Sequence, residues 1–103
     1  MIAVQVTYKV KVDFVAENKS NISTFLADFK EMHTSRFLYN VYVKEDGLTF
    51  VHVSMYENAE IQQQVLNTPS FVKFQQRRDE SGLAELPIIE NLTHLGSSIS
   101  LIK

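Results

Sequence analysis

A chain of 103 residues, 45% hydrophobic and 21% charged, has the makeup of one folded domain (1–103) able to bury roughly two-thirds of its unfolded surface. The formal net charge of -2 argues against a nucleic-acid or anionic-membrane surface, which carries a basic excess. The absence of cysteine excludes disulfides, thiolate nucleophiles and cysteine-based metal sites.

The first stretch, Met1 to Val15, is apolar but broken by Gln5, Lys9, Lys11 and Asp13, so it lacks the continuous core of a signal or membrane-spanning segment. A soluble, cytoplasmic protein is the expectation. Val4, Val6, Tyr8, Val10, Val12 and Phe14 alternate with polar residues, which predicts a strand over 4–14. Asn18 to Ser20 offers capping side chains for a first helix. On it Ile22, Phe25, Leu26, Phe29 and Met32 recur at helical spacing, to an end near His33-Thr34.

Phe37 to Tyr56 reads as a hairpin around Asp46-Gly47, a pair suited to a two-residue type I′ turn. That turn sets Val43 opposite Phe50, Val41 opposite His52, Tyr39 opposite Ser54 and Phe37 opposite Tyr56, all on one face. Leu38, Asn40, Tyr42, Lys44, Thr49, Val51, Val53 and Met55 take the other. Neither face is polar enough to lie open to water, so each needs a cover. Asn58 caps a second helix through Leu66, and Thr68-Pro69 opens a third that places Phe71, Phe74, Gln75 and Arg78 on one side and stops at Ser81-Gly82. Ile88 to Leu95 is a fourth strand, and Gly96 to Lys103 a tail with room for one more.

Strand, helix, two strands, helix pair and strand close most simply into a ferredoxin-like βαββαβ fold. This is an α+β arrangement whose four-stranded antiparallel sheet has helices on one face. Helices cover only that side. A second copy of the sheet is the simplest cover for the other, so a homodimer through the sheet face is expected. Burying about four β-branched or aromatic side chains per subunit contributes several kcal/mol before association costs.

The Val-Ser-Met-Tyr-Glu-Asn run at 53–58 and the Asn-Thr-Pro-Ser-Phe run at 67–71, in this order of elements, resemble the antibiotic biosynthesis monooxygenase-like proteins. These are dimeric α+β barrels that include small quinol monooxygenases and haem-degrading enzymes. The resemblance spans nearly the whole chain and implies a homodimer with a pocket in each subunit between sheet and helices. It also implies oxidation of an aromatic or quinone-like substrate by molecular oxygen with no added cofactor. Tyr56 stands where the family has a tryptophan, and Val65 where many members have histidine or tryptophan. The haem-degrading branch needs a histidine where Gln75 stands and an asparagine in the first strand, and both are missing.

With the aromatic face toward the helices, His52 is the candidate general base, since its ordinary pKa lies near neutrality. Tyr56, four residues on and about 13 Å away along an ideal strand, is its candidate catalytic partner. Tyr8, Tyr39, Phe50 and Phe74 are candidate substrate contacts, and Arg78 is a cation aimed inward to hold a carboxylate or enolate. The plainer readings are a core histidine satisfied by a neighbouring hydroxyl, core aromatics, and an exposed arginine at a helix end. His33, His52 and His94 fall on different elements, so no metal site is expected. RNA-recognition domains share this element order, but here Asp46 replaces the basic residue of their third-strand pattern and no basic stripe exists. The function expected is a small-molecule-binding homodimer of the monooxygenase type, without nucleic-acid or membrane partners. The alternative is a non-catalytic binding or assembly module of the same fold.

Overall fold

The computed structural model describes residues 1–100. Strand β1 (Ile2–Lys9) leads into a short 3-10 turn (Val12–Phe14) and helix α1 (Val15–Glu31). Strands β2 (Phe37–Val43) and β3 (Thr49–Tyr56) follow, then helices α2 (Ala59–Leu66) and α3 (Pro69–Arg77), a π-helical turn (Arg78–Gly82) and strand β4 (Ile88–Leu92). The antiparallel sheet runs β2-β3-β1-β4, the ferredoxin-like order.

The hairpin register agrees with the alternation: Val43 faces Phe50, Val41 faces His52, Tyr39 faces Ser54 and Phe37 faces Tyr56. The turn is built differently. Only Gly47 takes a positive φ (71°), and its N–H donates to the Lys44 carbonyl. Asp46 instead accepts from the N–H groups of Leu48 and Thr49 and from the Thr49 hydroxyl at 2.6–2.8 Å. These bonds hold its carboxyl down to about pKa 2. A looser turn with a side-chain brace delivers the same register, because the brace closes the loop that a second positive φ would have closed.

β1 is shorter than its alternation predicts. The strand ends at Lys9, Val10 makes an isolated bridge to Leu83 and donates its N–H to the Leu48 carbonyl at 3.0 Å, and Val12 is 76% exposed. Lys11 N–H donates to the Gly82 carbonyl and Phe14 N–H to the Lys11 carbonyl, which turns the strand directly into α1. Apolar residues in a 3-10 turn here continue a period-two pattern by coincidence. The helix therefore begins before the capping cluster, and Asn18 is inside it. Asn18, Ile22, Phe25 and Phe29 form its buried stripe. α1 ends at Glu31, and His33 takes the left-handed conformation (φ 47°) just past the end, donating to the Lys30 carbonyl. Asn58 caps α2 through its side chain, accepting from Ile61 N–H at 2.9 Å. β4 stops at Leu92, no strand is present from 93 to 100, and the last part of the tail, 101–103, lies outside the described residues.

Helices α1 and α3 pack their phenylalanines onto the aromatic sheet face. Phe25 meets Phe29, Phe71 and Phe74 with ring centroids 4.9–5.2 Å apart, and Tyr8, Phe50 and Tyr56 close the core from the sheet. Two salt bridges tie the periphery: Arg77 to Glu17 across α3 and α1, and Arg36 to Glu57 where β2 begins and β3 ends. The opposite sheet face has no helix. There Val51 and Val53 are half-buried, while Tyr42, Ile88 and Leu92 are exposed.

Gly82 lies so close to Phe14 that a Cβ there would be driven into the ring. The ring is itself buried, with no room to retreat. Gly82→Ala should therefore cost about 1–3 kcal/mol of stability, read as a lowered urea midpoint at unchanged slope.

Candidate functional site

His52 projects from the middle of β3 into the phenylalanine shell and is 2% exposed. Its Nε2 lies 2.7 Å from the Tyr8 hydroxyl on β1 and its Nδ1 2.7 Å from the Tyr39 hydroxyl on β2. The pairing of three adjacent strands makes this possible, since Val6 and Val41 flank His52 directly and both tyrosines sit two residues away on the same face. The Tyr8 hydroxyl also accepts from Asn18 Nδ2 at 3.1 Å, which links α1 to the row. Asn18 Oδ1, fully buried, has no hydrogen-bond partner. Burial, and after it the charge of Arg78, holds the His52 pKa down to about 3, so the ring is neutral across the physiological range. Burial likewise pushes the Tyr8, Tyr39 and Tyr56 hydroxyls above their ordinary value.

A cleft opens beside this row, between α3 and the β1–β4 half of the sheet. One part, about 440 Å³, is walled by Val6, Tyr39, Phe71, Gln75, Leu83, Leu86, Pro87 and Ile89, with Arg78 and Asp79 at one side. A second part, about 230 Å³, shares Val6, Tyr39, Phe71, Gln75 and Ile89 and adds Ser54, Tyr56, Gln62 and Asn91. The lining surface is mainly apolar, interrupted by the amides of Gln62, Gln75 and Asn91, the hydroxyl-bearing Tyr39, Ser54 and Tyr56, and the Arg78–Asp79 pair, a mixture that suits a small-molecule site. Arg78 is largely buried. Its guanidinium sits 5.0 Å over the Tyr8 ring and 5.3 Å over Phe74 and donates to Asp79 at 3.0 Å.

The residues singled out from sequence thus divide. Tyr39, Tyr56 and Arg78 line the cleft. Tyr8 and Phe74 are core residues behind its wall, and Phe50 lines a separate, more open groove of about 300 Å³ between α1 and β2. His52 borders neither space. With both nitrogens engaged and its basicity low, it does not meet a ligand as a direct base, and any action it has runs through Tyr39. Asn18 was missed as a site residue, although a legible signal existed: it is the one polar side chain on the Ile22, Phe25, Phe29 stripe. Gln75, placed inward by helical spacing, contributes its amide to the cleft. Among the described residues no three His, Asp or Glu side chains gather as a metal site, and no helix is long and apolar enough to cross a membrane.

No family model and no curated protein matches this chain in sequence. Solved structures do match in fold. One described as an antibiotic biosynthesis monooxygenase superposes with a TM-score of 0.75 at 9% identity, over 93% of this chain and 100% of that one. A candidate antibiotic biosynthesis monooxygenase from Caulobacter crescentus gives 0.75 at 21% identity, over 92% and 90% of the two chains. Another, from Nitrosomonas europaea, gives 0.77 at 14% identity, over 93% and 100%. The fold is that of the antibiotic biosynthesis monooxygenase-like proteins.

The neutral imidazole has a stability consequence with a definite sign. Unfolded, the ring takes a proton near pH 6.5; folded, it resists until about pH 3. The stability it confers is full above 6.5 and is lost as the pH falls from there toward 3. Between pH 6.5 and 5, above the range where ordinary carboxylates titrate, stability should fall with a slope approaching about 1.4 kcal/mol per pH unit. Chemical denaturation of wild type and His52→Phe at several pH values checks this, and only the wild type should show the slope.

Proposed function

We propose that the protein is a homodimer that binds a compact aromatic or quinone-like molecule in the cleft under α3, and oxidises it with molecular oxygen without an added cofactor. The observation that carries the reading is Tyr39, which borders the cleft and whose hydroxyl is backed by a buried histidine. A phenol occupying the cleft and one molecule of oxygen would give a quinone and water, which balances without an outside reductant. In that chemistry Tyr39 holds the substrate oxygen on which negative charge develops, and His52 orients the Tyr39 hydroxyl from behind. Tyr56 and Gln75 bound the reacting ring, and the Arg78–Asp79 pair closes one side. Tyr8, Phe50 and Phe74 serve by packing the wall, not by touching the ligand.

The homodimer reading rests on the uncovered sheet face, where Val51, Val53 and Tyr42 need a partner surface. A second reading, a binding module without catalysis, is favoured by the low basicity of His52, which leaves the cleft without a strong proton acceptor.

Oxygen uptake over a panel of phenols and quinols tests the monooxygenase chemistry. The wild type should consume oxygen, and Tyr39→Phe should lower kcat by about 100-fold, the usual effect of removing one donor from a developing oxyanion. Uptake on no member of the panel, with binding retained, would leave only the binding module. For the assembly, sedimentation should give a dimer for the wild type and a folded monomer for Val53→Lys; a wild-type monomer at high concentration would remove the sheet-to-sheet contact.

A further inference from the structure

The row of side chains behind the cleft has a direction, and the direction determines what kind of atom the cleft takes at its wall. A carboxamide nitrogen only donates, so Asn18 Nδ2 at 3.1 Å occupies the Tyr8 oxygen as an acceptor. The single Tyr8 proton is then free for His52 Nε2 at 2.7 Å, which must receive it on a lone pair. A neutral imidazole carries one N–H, and it is left on Nδ1, donating to the Tyr39 oxygen at 2.7 Å. Tyr39 has one proton of its own and no other hydrogen-bond partner among the described residues, and its side chain borders the cleft.

Arg78 favours the same direction. Its guanidinium stands 5.0 Å over the ring of Tyr8, the residue bonded to Nε2, and a positive charge beside that partner favours a lone pair on Nε2 over an N–H. Turning the Asn18 amide over would satisfy the orphaned Oδ1 only by leaving its NH2 group without an acceptor, so nothing is gained by reversal.

We infer that Tyr39 is a one-way hydrogen-bond donor into the cleft, and that the cleft therefore selects ligands presenting an acceptor oxygen, such as a ketone or quinone carbonyl, a phenolate or a phenol oxygen, over ligands that offer only a donor hydrogen. The inference rests on the cleft being the ligand site. It makes Tyr39 a specificity-determining residue and His52 and Asn18 the positioning residues that orient it.

Two measurements test it. Nitrogen-15 NMR of the ligand-free full chain reads the His52 tautomer directly, with exposed His33 and His94 as internal references; an Nδ1–H ring is expected, and an Nε2–H ring overturns the inference. Titration calorimetry then compares three neutral bicyclic probes: 1-indanone, which only accepts; indole, whose N–H only donates; and indene, which does neither. Wild type should bind 1-indanone about tenfold more tightly than indene, the size of one net hydrogen bond, and indole no better than indene. In Tyr39→Phe, a conservative change at a site already packed by rings, the ratio of 1-indanone to indene affinity should fall from about ten to about one. Indole favoured over 1-indanone reverses the direction and overturns the inference while leaving the cleft as a binding site. Failure of all three probes to bind removes the cleft reading and the inference together.

Discussion

A neutral imidazole with a single hydrogen, enclosed by rings and bonded at both nitrogens, is the constraint on which the rest of the structure depends. A buried polar ring costs free energy unless each nitrogen is satisfied. Here satisfaction comes from tyrosines on the two strands flanking β3, so the β2-β3-β1 order and its register are prerequisites for burying His52 at all. A slip of one residue in either pairing would send a tyrosine to the opposite face and leave an imidazole nitrogen unpaired in the core. The hydrogen bonds thus act as a register lock that the surrounding phenylalanines, being interchangeable in chemistry, could not supply.

The same arrangement explains why the cleft lies where it does. Helices α1 and α3 stack their phenylalanines over β1, β3 and β2, and β4 extends the sheet beyond them with every residue exposed. Ile89 is consequently 70% open to solvent on the helix side, forming one lip of the cleft, with Phe71 and Gln75 of α3 as the other. The cavity comes from a sheet one strand wider than its helical cover. The π-helical turn after α3 adds to this by carrying Arg78 under the sheet, where it stacks on Tyr8 and pairs with Asp79.

Much of this was legible in the residues and some of it was not, for identifiable reasons. Alternation through Phe37–Val43 and Thr49–Tyr56 correctly placed His52, Tyr39 and Tyr56 on the helix side, because a period of two leaves only two choices and bulk decided between them. Alternation misled between Val10 and Phe14, where a 3-10 turn buries Phe14 and exposes Val12 without breaking the pattern. Asn18 read as a cap because Asn is so common there. Its inward placement was readable from the spacing of Ile22, Phe25 and Phe29, but its partner, a hydroxyl ten residues earlier on another element, was not. Whether Tyr8 or Tyr39 meets the cleft depends on which strand the helices leave uncovered, and that is a property of packing alone.

The distribution of tyrosines has a spectroscopic corollary. The chain has no tryptophan and four tyrosines, and of these Tyr8 and Tyr56 are buried and Tyr39 is tied to the imidazole, whereas Tyr42 stands 58% exposed on the bare sheet face. Ultraviolet emission from the intact molecule therefore separates by environment without any label. A water-soluble quencher addresses the single outward phenol, and its accessibility follows whatever comes to cover that surface, while the shielded rings register events in the interior.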